Sequence, residues 1–416
     1  MAGTNKNADV DVAVIGAGAA GIAAARYLSA RGLNCRILEA RSRRGGRAWT
    51  ERDSLNLPFD RGCGWLHDAQ HNPLRELAEA EGMECTDGLQ FRFHLNGRFA
   101  DKNESQELQD FLDRSYRLLK DEGRAGNDVA AAAVLDRNHP RRPFLNSMVS
   151  GINGVDVDAY STGDAAADEM GENRFLREGL GTLIAGRLGA GLAVTLDCPV
   201  RRIVWNGKGV QLETDRGRMR ARAAIVTVST GVLAGGGITF EPDLPDWKRH
   251  ALDALPMGRT EKIALAFDID IFGIPENTLL SIEKDGRVVA FHLRLFDDPL
   301  AVCYTGGRLA DAVADMSGGE AEAFALEYLQ HAFGEGIRRH LRAGTVTEWS
   351  RDPWSQGSYS AALPGGHAQR AELARPLVPH LQFAGEATQT ESFATAHGAW
   401  LSGLRAADAV AAALTS

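Results

Sequence analysis

The 416-residue sequence has few cysteines and no long apolar run, and these absences exclude several classes of protein. The five cysteines stand singly, without CxxC or metal-ligand spacing, and their odd number argues against a full disulfide framework. No secretory hydrophobic segment follows Met1, and charges interrupt the longer apolar stretches. We therefore expect a cytoplasmic protein with no membrane segment.

A surplus of positive charge and the common hydrolytic motifs are missing as well. The formal net charge of −9 argues against nucleic acid as the main partner, since binding DNA or RNA requires a basic face. The sequence has no nucleophile elbow and no two-histidine spacing on one helix, so we expect neither Ser/His/Asp hydrolysis nor a metal site. A negative field mildly favours small cationic substrates.

Glycine, in contrast, is abundant, and an N-terminal glycine motif gives the first positive indication of function. Gly16-x-Gly18-x-x-Gly21 stands between a predicted strand, 11–16, and a predicted helix, 19–31. The glycines permit the turn, the approach of a pyrophosphate and close packing of helix on strand. The helix N-terminus, with Ala19 and Ala20, offers free N–H groups to phosphates.

The next predicted strand, 34–39, ends in Glu39, about 20 residues on, where a carboxylate binds ribose hydroxyls. In a glycine-rich chain the glycine motif alone marks a simple turn as often as a dinucleotide site. Strand, helix and acid together predict a dinucleotide site.

A basic segment follows directly, from Ala40 and Arg41 to Gly45, Gly46 and Arg47. The paired glycines allow bare backbone to lie along a phosphate, and the arginine adds a planar charged donor. A solvated basic loop would explain the arginines but not the paired glycines.

The segments EARSRRGGRAWT (39–50) and FDRGCGWLH (59–67) resemble the opening of the flavin-dependent amine oxidase family, which includes monoamine oxidases, polyamine oxidases and lysine-specific histone demethylases. The resemblance continues in order through 177–188, 198–205, 223–233, 238–248 and 381–410, and is weak in 72–164 and 272–344. It implies FAD as the cofactor. The positions assigned to FAD by the glycine motifs and the resemblance are Gly16, Gly18, Ala19, Ala20, Gly21, Glu39, Ala40, Arg41, Gly45, Gly46, Arg47, Gly62, Gly64, Trp65, Val200, Trp349, Gly385, Glu386, Ala394 and Thr395.

The order of elements predicts an α/β fold in which two domains are interleaved. The N-terminal βαβ unit predicts a doubly wound, Rossmann-like FAD-binding domain, made of residues 1–70, 177–250 and 360–416. A substrate-binding domain of mixed sheet and helices takes 71–176 and 251–359. Within it, we expect separate-sheet strands at 262–267 and 288–295, and a helical, charged pattern from about 72 to 135. Segment 104–124 is either a solvated helix or a docking face.

Lys262 is the main catalytic candidate. From the pattern alone, a lone lysine early in an apolar strand is either an edge charge or a buried base whose pKa falls on desolvation. The resemblance favours the second interpretation, since the lysine at this point in the family binds a water that bridges to flavin N5.

Four further catalytic candidates come from the resemblance. Trp349 and Tyr359 match aromatic positions that line the family's cavity, although core packing claims most aromatic residues in any chain. His67 matches a cavity histidine of some animal polyamine oxidases, or else packs beside Trp65. Thr395 stands where monoamine and several polyamine oxidases carry a second cage tyrosine, so we expect no two-tyrosine cage.

Ser358 occupies the place of the cysteine that links to the flavin in monoamine oxidases, and serine offers no thioether. The resemblance thus implies noncovalent FAD. It also implies hydride transfer from the α-carbon of a neutral amine to flavin N5, imine hydrolysis, and reoxidation by O2 with release of hydrogen peroxide. The expected partners are O2 and a small amine or polyamine, with secondary amines or polyamines preferred because Thr395 completes no aromatic cage.

Two alternatives remain open. The same fold supports C–C desaturation, although those relatives generally lack the GxxxK element that runs from Gly258 to Lys262. The second alternative is a flavin-stabilised protein that binds partners without catalysis.

Overall fold

The computed structural model describes residues 8–86, 88–168 and 171–415, and their strands form two large sheets and one small hairpin. The strands are β1 (Val10–Ile15), β2 (Cys35–Leu38), β3 (Thr50–Glu51), β4 (Phe59–Asp60), β5 (Gln90–Leu95), β6 (Arg98–Phe99), β7 (Val194–Thr195), β8 (Val200–Val204), β9 (Val210–Thr214), β10 (Gly217–Val226), β11 (Thr239–Glu241), β12 (Thr260–Phe267), β13 (Thr278–Lys284), β14 (Arg287–Leu293), β15 (Leu300–Gly306), β16 (Leu341–Val346) and β17 (Leu381–Phe383).

Helices cover and connect these sheets. The α-helices are α1 (Ala19–Ala30), α2 (Pro73–Ala80), α3 (Lys102–Arg124), α4 (Ala131–Val134), α5 (Arg142–Asn153), α6 (Thr162–Ala167), α7 (Thr230–Ala234), α8 (Asp246–Ala254), α9 (Arg308–Ala314), α10 (Gly318–Phe333), α11 (Gln369–Ala374) and α12 (Ala396–Thr415). A π-helix spans Thr182–Leu188, and 3₁₀ segments span Leu295–Asp297, Glu335–His340 and Glu386–Thr388.

The first sheet has the strand order β11-β8-β9-β10-β1-β2-β7, with β17 also beside β10. Strand β1 is parallel to both of its neighbours, as the N-terminal βαβ unit predicts. Val12 and Val14 pack in the core below α1 and α12, whereas Ala13 and Ile15 pack in the core on the other face. Burial on both faces explains why β1 is a continuous apolar run rather than an alternating one. The expected α/β class is confirmed.

The second sheet has the order β16-β12-β15-β14-β13-β5-β6. Strands β12 and β14 belong to it, so the two strands that we expected in a separate sheet are confirmed. The strands of the two sheets alternate along the chain, which suits the interleaved arrangement. The exact division into a FAD-binding and a substrate-binding domain stays a prediction.

The expected helical pattern of about 72–135 is wrong for β5 and β6, which are strands. Asn96 and Gly97 both adopt left-handed backbone conformations, with φ of 50° and 77°, and turn the chain into a hairpin. An Asn-Gly pair between apolar segments is the strongest short-range hairpin signal, and it outweighs the surrounding helical pattern. Strand β5 then pairs in parallel with β13, far along the chain.

Helix α3 lies within 72–135 as expected and begins with a capping box formed by Asp101 and Glu104. It buries Leu108, Leu112 and Leu119 in a core that it shares with α5. One face of this helix is therefore internal packing, and the opposite face, which includes the exposed Leu118, meets solvent.

Candidate functional site

The first part of the site is the glycine turn between β1 and α1. Gly16 has a φ of 105°, which favours glycine, and a Cβ added at Gly21 would lie 2.0 Å from the Gly16 carbonyl oxygen. A Cβ at Gly18, in contrast, would meet only the Gly45 oxygen, at 3.9 Å. Gly18 is the N-cap of α1, and neither a side-chain cap nor an acidic residue occupies that first turn, which contains Ala19 and Ala20. This open helix N-terminus suits a phosphate group.

A second glycine turn lies against the first. Gly45 and Gly46 have φ values of 97° and 58°, and the Gly45 N–H donates to the Ala17 carbonyl at 2.8 Å. A Cβ at Gly46 would come within 3.3 Å of the Gly18 Cα. The two turns thus approach through bare backbone, and together they form the kind of cradle that a pyrophosphate requires.

Glu39 lies beside this cradle and is only 4% exposed. Its carboxylate accepts the Ala17 N–H at 2.7 Å and the Arg41 N–H at 2.8 Å, which leaves further lone pairs for hydroxyl donors. The Cys198 N–H donates to the Glu39 carbonyl at 2.8 Å, and this contact brings the start of β8 at Val200 towards the same edge.

Glu386 joins three of the segments that the sequence assigns to FAD. Its Oε1 accepts Arg47 Nη1 at 2.8 Å and the Ser360 N–H at 3.0 Å. Its Oε2 accepts the Ser360 hydroxyl at 2.6 Å and the Ala394 N–H at 3.1 Å. Burial opposes ionisation, but Arg47 and the hydroxyl donor hold the pKa of this carboxyl below its ordinary value. Glu386 therefore acts as a buried anionic junction.

The neighbouring candidates have hydroxyls already engaged with the protein. Thr395 donates to the Ser392 carbonyl at 2.7 Å and accepts the Gly398 N–H at 3.0 Å, so it caps the start of α12. Ser358 donates to the Gly258 carbonyl at 2.9 Å. Gly385 has a φ of 123° and leads into the Glu386 segment.

Lys262 occupies an interior strand, because β12 pairs with β15 on one side and β16 on the other. It is 8% exposed, so the edge-charge alternative is excluded. Its Nζ donates to the carbonyls of Asp60 at 2.8 Å and Gly62 at 2.5 Å. Burial lowers the pKa of Lys262 to about 8, although the Asp60 carboxylate opposes this shift. The lysine thereby holds the segment that carries the predicted contacts Gly62, Gly64 and Trp65.

Trp349 contacts the segment that Lys262 holds, and Tyr359 contacts strand β12, which carries Lys262. The Trp349 indole N–H donates to the Arg61 carbonyl at 2.9 Å, and a Cβ at Gly62 would lie 3.2 Å from its ring. The Tyr359 hydroxyl bonds to the Thr260 hydroxyl at 2.8 Å. Thr260 and Lys262 are two residues apart on β12 and share one face.

A cluster of aromatic rings around Trp65 was missed by the sequence analysis. The centroids of Phe175, His292 and Tyr304 lie 4.5, 5.9 and 6.0 Å from that of Trp65. Phe175, His292, Tyr304 and Lys262 line one cavity. The only signal in the sequence is a lone histidine within the apolar strand 288–295, and this signal does not reveal what the residue faces.

The two histidines of this region are held as neutral rings. His292 Nε2 lies 2.7 Å from Asn277 Oδ1, and burial, helped by nearby Lys262, lowers the pKa of His292 to about 3. His67 stacks on Trp65 with centroids 5.7 Å apart, and its Nδ1 lies 2.9 Å from Asn173 Oδ1. Burial also lowers the pKa of His67. His67 thus borders the aromatic cluster and has a hydrogen-bond partner. Both interpretations of it, as a cavity histidine or as a packing residue beside Trp65, therefore stay open.

The described part of the chain contains no group of three or more His, Cys, Asp or Glu side chains placed to hold a metal ion. Within 8–86, 88–168 and 171–415, no helix has both the length and the apolar character needed to cross a membrane. The five cysteines are unpaired.

Comparison with known proteins places these features in a family. A family model described as "Flavin containing amine oxidoreductase" matches residues 19–411. Polyamine oxidase 4 of Oryza sativa subsp. japonica is 30% identical over 440 residues, which cover 95% of this chain and 88% of that protein. Lysine-specific histone demethylase 2 of Homo sapiens is 28% identical over 447 residues, covering 96% of this chain and 53% of that protein. The solved structure of wild-type putrescine oxidase bound to putrescine has a TM-score of 0.80 at 20% identity, covering 97% of this chain and 99% of that one, and indicates a shared fold.

Proposed function

The chain belongs to the flavin-containing amine oxidoreductases, and we propose that it uses noncovalently bound FAD to oxidise a C–N bond of a small amine or polyamine. The observation that carries this proposal is buried Lys262, which donates to the Asp60 and Gly62 carbonyls beside the aromatic residues Trp349 and Tyr359. Desaturases of the same fold generally lack the GxxxK element that ends at Lys262, and peroxide release with amines separates an oxidase from a non-enzymic binder.

The residues present suit FAD. The Gly18 and Gly45 turns form a backbone cradle, and a side chain at Gly18 would project into it. The Glu39 carboxylate can accept hydrogen bonds from ribose hydroxyls. Glu386 orients Arg47 at the same end of the fold, and a guanidinium is well suited to phosphate oxygens. These contacts support the glycine turns, Glu39, Arg47 and Glu386 among the twenty cofactor positions named above, and the family resemblance supplies the others.

We infer that FAD is held without a covalent bond. Ser358 has no sulfur, and its hydroxyl is engaged by Gly258. Cys63 lies in the segment that Lys262 holds, but burial raises the pKa of its thiol to about 12. A thiol that stays protonated at neutral pH is a poor nucleophile.

The chemistry supplied by bound FAD is a two-electron oxidation, in which a hydride leaves the α-carbon of the amine for flavin N5 and O2 takes up the electrons as hydrogen peroxide. The protein provides orientation and charge. An ammonium at Lys262 has three N–H donors, and two are engaged by Asp60 and Gly62. The third remains available to hold a water molecule, and the pKa near 8 lets this group exchange a proton near neutral pH.

The candidate substrate cavity favours an amine with an apolar or extended body. Phe175 and Tyr304 line this cavity, with Trp65 packed against both of them, and aromatic rings attract ammonium groups and pack against methylene chains. The neutral His292 ring carries no charge that would repel a substrate cation. Polyamine oxidases among the relatives support a polyamine or secondary amine rather than an aryl-ethylamine. The cytoplasmic location stays a prediction.

A panel of amines tests the proposal. Purified protein is mixed with putrescine, spermidine, spermine, N-acetylated polyamines and phenylethylamine, and peroxide release is measured in air. Bleaching of the flavin is followed separately without oxygen. We expect at least one polyamine to do both. Bleaching without peroxide would indicate another electron acceptor, and a flavin that no amine bleaches would refute the proposal.

A further inference from the structure

Glu261, the residue before Lys262, is fully buried in the interior strand β12. Successive side chains of a strand face opposite sides, so these two charged residues act on different neighbours. Lys262 bonds to the carbonyls of Asp60 and Gly62, whereas Glu261 bonds to the segment that carries Trp349. A carboxylate at such a position is costly to bury unless its oxygens are satisfied.

Three donors from one short segment satisfy this carboxylate. Glu261 Oε2 accepts the Thr347 hydroxyl at 2.6 Å and the Trp349 N–H at 3.0 Å. Its Oε1 accepts the Ser350 N–H at 2.8 Å. Hydrogen bonds to an ionised acceptor are about twice as strong as neutral ones. The backbone on both sides of Trp349 is therefore tied to β12 by a single side chain.

The Trp349 ring contacts the Arg61–Gly62 turn, to which Lys262 also donates. The indole N–H donates to the Arg61 carbonyl at 2.9 Å, while Lys262 Nζ donates to the next carbonyl, that of Gly62. The ring lies 3.2 Å from the position of a Cβ at Gly62, so it closes tightly over this turn.

We propose that Glu261 is a positioning residue, which fixes Trp349 against the turn Arg61–Gly62 so that the Trp349 ring and Lys262 hold this turn together. The inference rests on the proposed function insofar as the family resemblance assigns Trp349 to the amine site. A carboxylate is required because all three neighbours donate. Glutamine would direct N–H groups at one of them, since an amide has only one acceptor atom.

Substitution of Glu261 by glutamine in the FAD-loaded enzyme tests the proposal. We expect KM for the best amine to rise about tenfold and kcat to change less than about threefold, because misplaced binding contacts act mainly on KM. The visible absorption and circular dichroism bands of the flavin should shift, while FAD stoichiometry stays at wild type. Glu320→Gln is the control for the same chemical change at an exposed carboxylate, since Glu320 also accepts an N–H and a hydroxyl, both from Ser317, at the start of α10.

A pair of substitutions at Thr347 covers the case in which Glu261→Gln does not fold. The Thr347 hydroxyl donates to Glu261 and accepts the Lys262 N–H at 2.8 Å. Thr347→Val should raise KM and shift the flavin bands in the same direction, to a smaller extent. Thr347→Ser should restore both, because it keeps the hydroxyl. Equal behaviour of the valine and serine variants would overturn the proposal.

A double-mutant cycle with Trp349→Ala tests whether Glu261 acts through the ring. Without the ring, Glu261→Gln should change KM by less than about twofold, whereas independent effects would multiply. Multiplying effects, or unchanged KM and flavin bands in Glu261→Gln alone, would overturn the positioning role. A wild-type protein that oxidises no amine would instead refute the proposed function, and the flavin bands would still decide the role of Glu261.

Discussion

Replacement of Lys262 by methionine removes one charge and three donors while keeping a side chain of similar length. The carbonyls of Asp60 and Gly62 lose their partner in a buried place. A buried acceptor left without a donor costs about 1–3 kcal/mol. Removal of a charge that burial disfavours offsets part of this cost. We expect a net loss of stability of about 1–3 kcal/mol.

The expected effect on rate is larger than that on stability. Loss of one well-placed polar contact in a transition state costs about 2–4 kcal/mol, and each 1.4 kcal/mol is about a factor of ten. Flavin chemistry should therefore slow by about tenfold or more. FAD should remain bound, because Gly62 is the one predicted FAD position to which the lysine side chain donates, and the Gly16–Gly21 turn and Glu39 keep their contacts.

Stopped-flow spectroscopy measures flavin reduction by amine without oxygen, and then reoxidation by O2. Lys248→Met is the matched control. Lys248 is fully buried, donates to the Glu372 and Leu373 carbonyls at 3.1 and 2.8 Å, and has a pKa lowered by burial to about 7. This variant should lose stability but keep both rates. Wild-type rates in fully flavinated Lys262→Met, or equal slowing in Lys248→Met, would refute the catalytic assignment.

Three further predictions follow from the cofactor cradle and the buried charges. Gly18→Ala should weaken FAD binding to the apoprotein at least about tenfold, as measured by calorimetric titration. Its Tm should shift by less than about 2 °C, because the added Cβ meets only the Gly45 oxygen, at 3.9 Å. Unchanged affinity would show that no phosphate lies there. Acid precipitation should release all FAD into the supernatant, since Ser358 offers no thioether; colour in the washed pellet would contradict this. Folded Lys262 binds its proton less tightly than the unfolded chain, with a pKa of about 8 against 10.5, so the free energy of unfolding should gain a contribution as pH rises from 8 to 10.5. Urea unfolding of wild type and Lys262→Met across this range measures that gain, and identical pH slopes would contradict it.

Features that depend on neighbouring residues could be predicted from the sequence. Gly16, Gly18 and Gly21 specify a strand–turn–helix unit through contacts within one short stretch, and β1 and α1 form as expected. The Asn96–Gly97 hairpin could also be predicted from its local turn residues, but the helical pattern on either side of it favoured a helix.

Features that depend on strand order were decided only by the tertiary structure. An apolar strand with one lysine has the same pattern at an edge or in the interior of a sheet, and only the pairing of β12 with both β15 and β16 buries Lys262. The same pairing brings Tyr304 opposite Lys262 and places Glu261 against the Trp349 segment. These contacts join residues that lie far apart in the chain. Their formation depends on the packing of whole sheets, which no local periodicity encodes.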